Sequence, residues 1–411
     1  MDYGRFLTKL AKARLPSPIR VLTELQMRGG RDMISFGTGA PNPALFPFHS
    51  ISAQLKNGER LELSSSALNA ALQYGPSQGD PGLLNWLREL QTEMHAPKQS
   101  NWDLLLTPGS QDGLAKLFDA LLEPGDALLI EEPTYPGTLA GLAPMGLKLV
   151  GVGGDADGLC PNALETAILS AQPSRPKILL LQPGPSNPTG RCITLGRRLE
   201  LLKLASKYDL LIIEDDPYFY LNFNKPEQSL FGLDSEGRVI RTDSFSKMLS
   251  SGFRLGFVTG PRQIIERLTL HLQVTSMHAS SLSQALVREL LSAWGLPVFL
   301  AHCKEVSAFY QQQCSRMLEA ADAELRGEAE WAVPLGGMFL WIKALHVADT
   351  AALIKEEALK SQVVLAPGNV FFLDSSRPSP WLRASYSNVT PEEMREGMRR
   401  LGKLLRSRRR L

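Results

Sequence analysis

Between residues 100 and 260 short apolar runs alternate with longer stretches of helical periodicity, and this alternation restricts the fold more than any other feature of the chain. The runs are Leu104 to Thr107, Ala127 to Ile130, Lys148 to Val152, Lys177 to Gln182, Leu210 to Glu214, Val239 to Thr242 and Leu255 to Thr259. Strands that read as continuous apolar runs are buried on both faces, and strands separated by helices pair in parallel. The spacing therefore predicts an α/β layer with a mostly parallel seven-stranded sheet. Gln111 to Leu122 and Leu195 to Tyr208 are candidate crossover helices, the second opening at Thr194 as its N-cap. After about residue 295 the rhythm changes to a long helix, Phe299 to Leu325, and then to short strands near Gly336 to Ile342, Val363 to Ala366 and Arg383 to Ser387. A last helix opens with the capping box Thr390-Pro391-Glu392-Glu393. That second pattern describes a smaller α+β domain. The expected division is an N-terminal arm over 1–30, a large domain over 31–295 and a small C-terminal domain over 296–411 to which the N-terminal segment contributes.

A chain of 411 residues that is 44% hydrophobic can bury a large core, and a net charge of +2 without a basic stripe excludes nucleic acid as the main partner. Cys160, Cys192, Cys303 and Cys314 are scattered without a paired spacing, which points to a reducing compartment and to neither a disulfide framework nor a zinc site. The six histidines show no ligand spacing either, so no metal is expected. No apolar run approaches the roughly 18 residues of a membrane span. The first fourteen residues set Arg5, Lys9, Lys12 and Arg14 against Asp2, interleaved with Phe6, Leu7 and Leu10. They read as an amphipathic transit segment or as an N-terminal helix docked on a partner subunit. The location is mitochondrial or cytoplasmic, with the basic start pointing to the mitochondrion. The tail from Arg406 to Leu411 reads as a solvated helix end.

In open α/β sheets ligands gather at the carboxyl ends of strands, and the residues able to do chemistry fall there. Ser244-Phe245-Ser246-Lys247, followed by Ser251-Gly252-Phe253-Arg254, sets one lysine among hydroxyls with an arginine downstream. Such a group can hold an aldehyde cofactor that carries a phosphate: the amine condenses with the aldehyde, and Ser244, Ser246 and Arg254 meet the dianion. Pyridoxal phosphate also needs a carboxylate to keep its ring nitrogen protonated. Asp215, after the apolar run Leu210 to Ile213, suits that task, and Tyr218 can reach the phenolic oxygen. Asn187, in the rigid loop Pro183 to Gly190, can donate to the same oxygen. Thr107-Pro108-Gly109-Ser110-Gln111 ends a strand and opens a helix, offering Ser110, Gln111 and backbone amides to an anion. Tyr135 can stack on the pyridine face. Alone, each segment also reads as an ordinary turn, strand cap or packing residue.

Taken in chain order, Ser110-Gln111, Tyr135, Asn187-Pro188-Thr189-Gly190, Asp215-x-x-Tyr218, Ser244-x-Ser246-Lys247, Arg254 and Arg383 in Leu382-Arg383-Ala384-Ser385 resemble the fold-type I aminotransferases over nearly the whole chain. Longer agreement at Pro16 to Arg20, Leu72-Gln73-Tyr74, Ile212 to Tyr218, Gly237 to Arg241, Gly337 to Lys343 and Pro367-Gly368-Asn369 resembles the kynurenine/α-aminoadipate aminotransferase branch. The resemblance implies a fold-type I pyridoxal-phosphate-dependent transferase that moves the amino group of L-kynurenine, L-2-aminoadipate and related amino acids to 2-oxoglutarate by a ping-pong mechanism. It implies Lys247, Asp215 and Tyr218 as catalytic residues, and Ser110, Gln111, Tyr135, Asn187, Ser244, Ser246 and Arg254 as further cofactor ligands. Arg383 would pair with the substrate α-carboxylate, with Asn187 beside it. Arg20, Gly39, Tyr74, Phe339 and Phe371 would shape the substrate side, some of them from a partner subunit, which implies a homodimer with shared active sites. The branch's usual Gly-Gly-Leu-Pro stands here as Thr38-Gly39-Ala40-Pro41, a smaller wall that leaves the preferred donor open. A β-lyase, or a fold-type I aminotransferase of other donor specificity, is the alternative. A non-enzymatic, cofactor-binding regulator is disfavoured by the intact Lys247, Asp215 and Arg383.

Overall fold

A computed structural model describes residues 1–29, 34–171 and 174–408. The expected arm-to-domain boundary at 30/31 and the basic residues Arg409 and Arg410 of the tail lie outside the described residues. In chain order the strands are β1 (Ser52–Gln54), β2 (Arg60–Glu62), β3 (Trp102–Thr107), β4 (Ala127–Glu132), β5 (Lys148–Asp155), β6 (Gly158–Leu159) and β7 (Ile178–Leu181). They continue as β8 (Leu211–Asp215), β9 (Val239–Ser244), β10 (Gly256–Pro261), β11 (Ala329–Trp331), β12 (Phe339–Ala344), β13 (Ala366–Pro367) and β14 (Trp381–Ser385). β1 and β2 form a hairpin.

The protein has the α/β architecture read from its sequence, a large mostly parallel sheet with separate small antiparallel sheets. The large sheet runs β3-β10-β9-β8-β7-β4-β5-β6. β4 is parallel to β5 and β7, while β10 lies antiparallel to β3 and β9. All seven expected strands form. The eighth, β6, is a two-residue return on β5, too short to leave an apolar run, and it begins at Gly158, whose φ of +88° is a left-handed value suited to glycine. The small sheet, β11-β12-β14-β13, is antiparallel throughout.

Compactness divides the chain into two units. The first comprises Met1–Pro124, Ile213–Pro217 and Ser229–Ala301. In it Leu104, Leu105 and Leu106 of β3 are fully buried, and Leu114, Leu117, Phe118 and Leu121 turn one face of the helix Ser110–Leu121 inward. Each such side chain contributes about 1.5–3 kcal/mol through burial. The basic N-terminal stretch packs on its own chain: Phe6 is buried, Thr8 caps the helix Lys9–Ala13 and donates through its N–H to Ala120 O at 2.9 Å, and Arg14 pairs with Asp119 at 2.8 Å.

The second unit comprises Gly125–Ile212, Tyr218–Gln228 and His302–Leu411. Leu128 to Ile130 of β4 and Ile178 to Leu181 of β7 are buried along their length. A separate core joins Leu340 and Ile342 of β12, Leu382 of β14, and Met394 and Leu401 of the helix Pro391–Arg408. That helix starts as its sequence predicts, with Thr390 N–H donating to Glu393 Oε2 at 2.7 Å and Glu393 N–H to Thr390 Oγ1 at 3.2 Å. The helix Leu195–Tyr208 also has its predicted bounds, although the Thr194 side chain makes no capping bond. The long helix expected over Phe299 to Leu325 has helix before it: helical structure is already present from Ser281, and Gly295, at φ 63° and ψ 175°, breaks the run Ser281–Leu325.

Candidate active site

In the first unit, β8 and β9 separate their side chains by strand alternation. Ile213 and Asp215 share one face of β8 and Glu214 and Asp216 the other; on β9, Thr242 and Ser244 share a face opposite Arg241 and Asp243. The hydrogen bonds follow this division. Thr242 Oγ1 donates to Asp215 Oδ1 at 2.7 Å. Arg241, fully buried, reaches Glu214 at 3.3 Å, Asp216 at 3.0 Å and both oxygens of Asp243 at 2.9 Å. Three buried carboxylates hold the guanidinium firmly charged, while burial pushes Asp243 up to about 6 against the pull of Arg241. The run Glu214-Asp215-Asp216 is therefore not a solvated strand cap. Its middle carboxylate stands apart from a closed ionic cluster.

Past the end of β9 the chain turns through Lys247. Phe245 and Met248 are buried, with Phe245 against Phe257 at 5.8 Å, so Ser246 and Lys247 are left half-buried between two anchors. Ser246 N–H donates to Ser244 Oγ at 3.1 Å. Arg254 takes a left-handed backbone conformation (φ 48°, ψ 51°), uncommon for a side-chain-bearing residue and often found at functional sites. Its guanidinium makes only long contacts, 3.5 Å to Ser246 Oγ, 3.3 Å to Ser251 O and 3.4 Å to Pro108 O. None of the ion pairs among the described residues involves it. Gly109 precedes Ser110 at the start of its helix, has φ +89° and provides no side-chain cap. A Cβ there would lie 2.6 Å from Arg254 Nη2. The start of this helix, which its N-cap residue Gly109 does not cap with a side chain, together with the Ser246 hydroxyl and an arginine without a carboxylate, makes a cradle for a dianion.

Also in the first unit, Arg20, Gly39, Ala40 and Tyr74 line one cavity of about 470 Å³ together with Met277. Arg20 is buried, donating through Nε to Ser77 Oγ at 3.1 Å and through Nη2 to Gly75 O, and so braces the turn that carries Tyr74. His278 is a packed residue: Nε2 accepts from Gly75 N–H at 3.2 Å, Nδ1 meets Ala279 O at 2.7 Å, and burial lowers its pKa, keeping it neutral.

In the second unit Arg383, Asn187, Tyr218, Tyr135, Phe339 and Phe371 come together. The antiparallel register that sets Trp341 opposite Arg383 and Phe339 opposite Ser385 brings the guanidinium 4.1 Å from the Phe339 ring centre; Phe371 lies at 5.0 Å. Tyr218 meets Phe339 edge-on at 6.0 Å. Arg383 donates through Nη1 to Asn187 Oδ1 at 2.8 Å, while its Nε is buried without a hydrogen-bond partner. Burial lowers its pKa, partly offset by Tyr218 and Tyr135. A cation held between two aromatic faces with donors to spare is arranged to receive a carboxylate.

Behind it runs a relay that the sequence did not reveal. Asn187 N–H donates to Gln182 Oε1 at 2.9 Å, and Gln182 N–H donates to Glu131 Oε2 at 2.8 Å. Arg198, also buried, clamps the start of the Asn187 loop through four carbonyls: Ile193 at 2.8 Å, Pro183 at 2.7 Å, Gln228 at 3.0 Å and Glu227 at 3.4 Å. Burial raises Glu131 from 4.5 to about 7. Because the folded value lies above the unfolded one, its stabilising contribution is complete below about pH 4.5 and is lost as pH rises through 7, by at most about 3 kcal/mol. Glu131→Gln is expected to flatten the decline of the denaturant midpoint between about pH 5 and 7. An unchanged slope in the variant would show that Glu131 does not titrate there.

The two hydrogen-bond partners that sequence reasoning missed, Thr242 for Asp215 and Gln182 for Asn187, each left a signal. Thr242 lies two residues before Ser244 and therefore on its face of β9, and Gln182 is the polar end of an otherwise apolar strand run.

Among the described residues no cluster of side chains can hold a metal ion, and no helix is long and apolar enough to cross a membrane. The family model for aminotransferase class I and II matches residues 31–401. The chain is 44% identical over 422 aligned residues to the mitochondrial kynurenine/alpha-aminoadipate aminotransferase of Bos taurus, covering 99% of both sequences. Among solved structures it is similar to the aminotransferase Aro8 of Candida albicans, with a TM-score of 0.90 and 26% identity over 100% of this chain and 99% of that one. It is also similar to the kynurenine aminotransferase of Pyrococcus horikoshii, solved with PMP and kynurenine, with a TM-score of 0.79 and 29% identity over 99% and 98% of the two chains.

Proposed function

The chain belongs to the class I and II aminotransferases, and we propose that it moves the amino group of L-kynurenine, L-2-aminoadipate and related amino acids to 2-oxoglutarate, using pyridoxal phosphate. The observation that carries this reading is Arg383, a half-buried guanidinium between Phe339 and Phe371 with Nε unpartnered. It suits an amino-acid α-carboxylate, gripped by two parallel N–H donors.

The residues present fit the cofactor. The uncapped helix start at Gly109 and the loosely bonded Arg254 suit its phosphate, with Ser110, Gln111, Ser244 and Ser246 as further donors. Asp215, buried, suits its ring nitrogen. When bound, pyridoxal phosphate supplies an aldehyde for the substrate amine and a ring that accepts the electrons of the broken Cα–H bond. Lys247 would take the proton from Cα of the bound substrate and hold it for return. Asp215 would hold the ring nitrogen protonated, Asn187 and Tyr218 would serve the phenolic oxygen, and Tyr135 would pack against the ring. Arg383 would fix the substrate α-carboxylate, and Arg20, Gly39, Tyr74 and Phe339 are the residues proposed for its side-chain end.

A homodimer with shared sites is part of the proposal. Phe36 and Leu45, 97% and 82% accessible, and Ile19, Leu22 and Leu25 are exposed apolar side chains suited to contact with a second copy. A mitochondrial location is supported by the names of the mammalian relatives. The test is a donor panel: the protein loaded with pyridoxal phosphate is given 2-oxoglutarate with L-kynurenine, L-2-aminoadipate, methionine or an aromatic amino acid, and glutamate is measured. Glutamate should form fastest with the first two. None from either would overturn the donor assignment.

A further inference from the structure

We propose that Thr242 is the positioning residue of Asp215, its hydroxyl holding the carboxylate in one orientation and in its ionised form toward the ring nitrogen of the cofactor; this rests on the reading of the site given above. Thr242 is completely buried, so its hydroxyl has no water to satisfy it, and it donates to Asp215 Oδ1 at 2.7 Å, the short distance of a charge-assisted bond. Being β-branched, threonine holds one χ1 rotamer more tightly than serine does, so the donor is pre-set. Its main chain is tied to the same segment, because Asp216 N–H donates to Thr242 O at 3.1 Å.

The opposite faces of β8 and β9 supply the rigidity. Arg241 and Asp243 flank Thr242 on β9, Glu214 and Asp216 flank Asp215 on β8, and Arg241 bonds all three of these acids at 2.9–3.3 Å. A slip of either strand by one residue would exchange the faces and put Thr242 among the ion pairs. The cluster locks the register; Thr242 uses it. A hydrogen bond to a carboxylate favours the charged form. Removing it makes Asp215 a better home for the proton that the ring nitrogen needs.

The experiment measures uptake of pyridoxal phosphate by the apoprotein, by equilibrium dialysis, for wild type, Thr242→Val, Thr242→Ser, Asp215→Ala and the double variant Asp215→Ala/Thr242→Val. Melting of each apoprotein serves as the folding control. Thr242→Val keeps the shape and loses the donor, and is expected to bind about tenfold more weakly, the worth of one hydrogen bond to a charged group. Thr242→Ser should stay within about twofold of wild type, since the hydroxyl is restored. In the Asp215→Ala background the valine should add no further loss, as expected of two residues acting through one bond. Should Thr242→Val melt early, Thr242→Ala removes the hydroxyl without adding an apolar atom and serves in its place. Wild-type affinity in the valine and alanine variants, or an equal loss with and without Asp215, overturns the role of Thr242 alone. A wild-type protein that takes up no pyridoxal phosphate overturns the cofactor assignment and this proposal with it.

Discussion

Lys247→Ala is expected to lower transamination by at least about 10³-fold while the protein still takes up pyridoxal phosphate. The reason lies in the local geometry. Phe245 and Met248 are buried on either side of Ser246 and Lys247, so the backbone that carries the lysine is anchored on both sides. Alanine at 247 leaves those anchors and the dianion cradle of Gly109, Ser110 and Arg254 in place. Cofactor binding should therefore weaken modestly, whereas proton transfer at Cα loses its only proposed carrier. Borohydride reduction followed by peptide mapping should find cofactor fixed to the Lys247 peptide of wild type and to no peptide of the variant. A covalent adduct at another lysine, or turnover within tenfold of wild type, would contradict the assignment.

Arg383→Ala should lower kcat/KM for the amino donor by about 10²–10³-fold, mainly through KM, with cofactor affinity nearly unchanged. Truncating one partner of a partly buried charge pair costs about 2–5 kcal/mol, and each 1.4 kcal/mol is tenfold. Arg383→Lys should recover little, because an ammonium cannot make two parallel bonds to a carboxylate or lie flat between Phe339 and Phe371. Steady-state kinetics on both variants decides the matter: an unchanged KM in the alanine variant would remove Arg383 from substrate binding.

The large sheet was legible because most of its strands are buried over most of their length. Leu104 to Leu106 and Leu128 to Ile130 are fully inaccessible, and such strands show in sequence as unbroken apolar runs. The final helix was legible because its capping box is local, four residues that bond one another. The helix from Ser281 was not, since Gly295 and Pro297 interrupt the pattern and drew its start to Phe299. At the site the division is similar. The residue types and their order along the chain were readable, but the aromatic sandwich around Arg383 depends on the pairing of β12 with β14, forty residues apart in sequence, and no local rule reports that. The Glu131-Gln182-Asn187 relay was hidden for the same reason: its members lie on segments joined only by folding.

The Arg198 clamp has a bearing on how this protein can diverge. All four of its partners are main-chain carbonyls, which every amino acid supplies. Replacements at Pro183, Ile193, Glu227 or Gln228 that keep the backbone path leave the clamp intact, and only a change at Arg198 removes it. Descendants of this sequence can therefore exchange the side chains around the Asn187 loop while Asn187 keeps its place: the anchor is indifferent to the letters it holds.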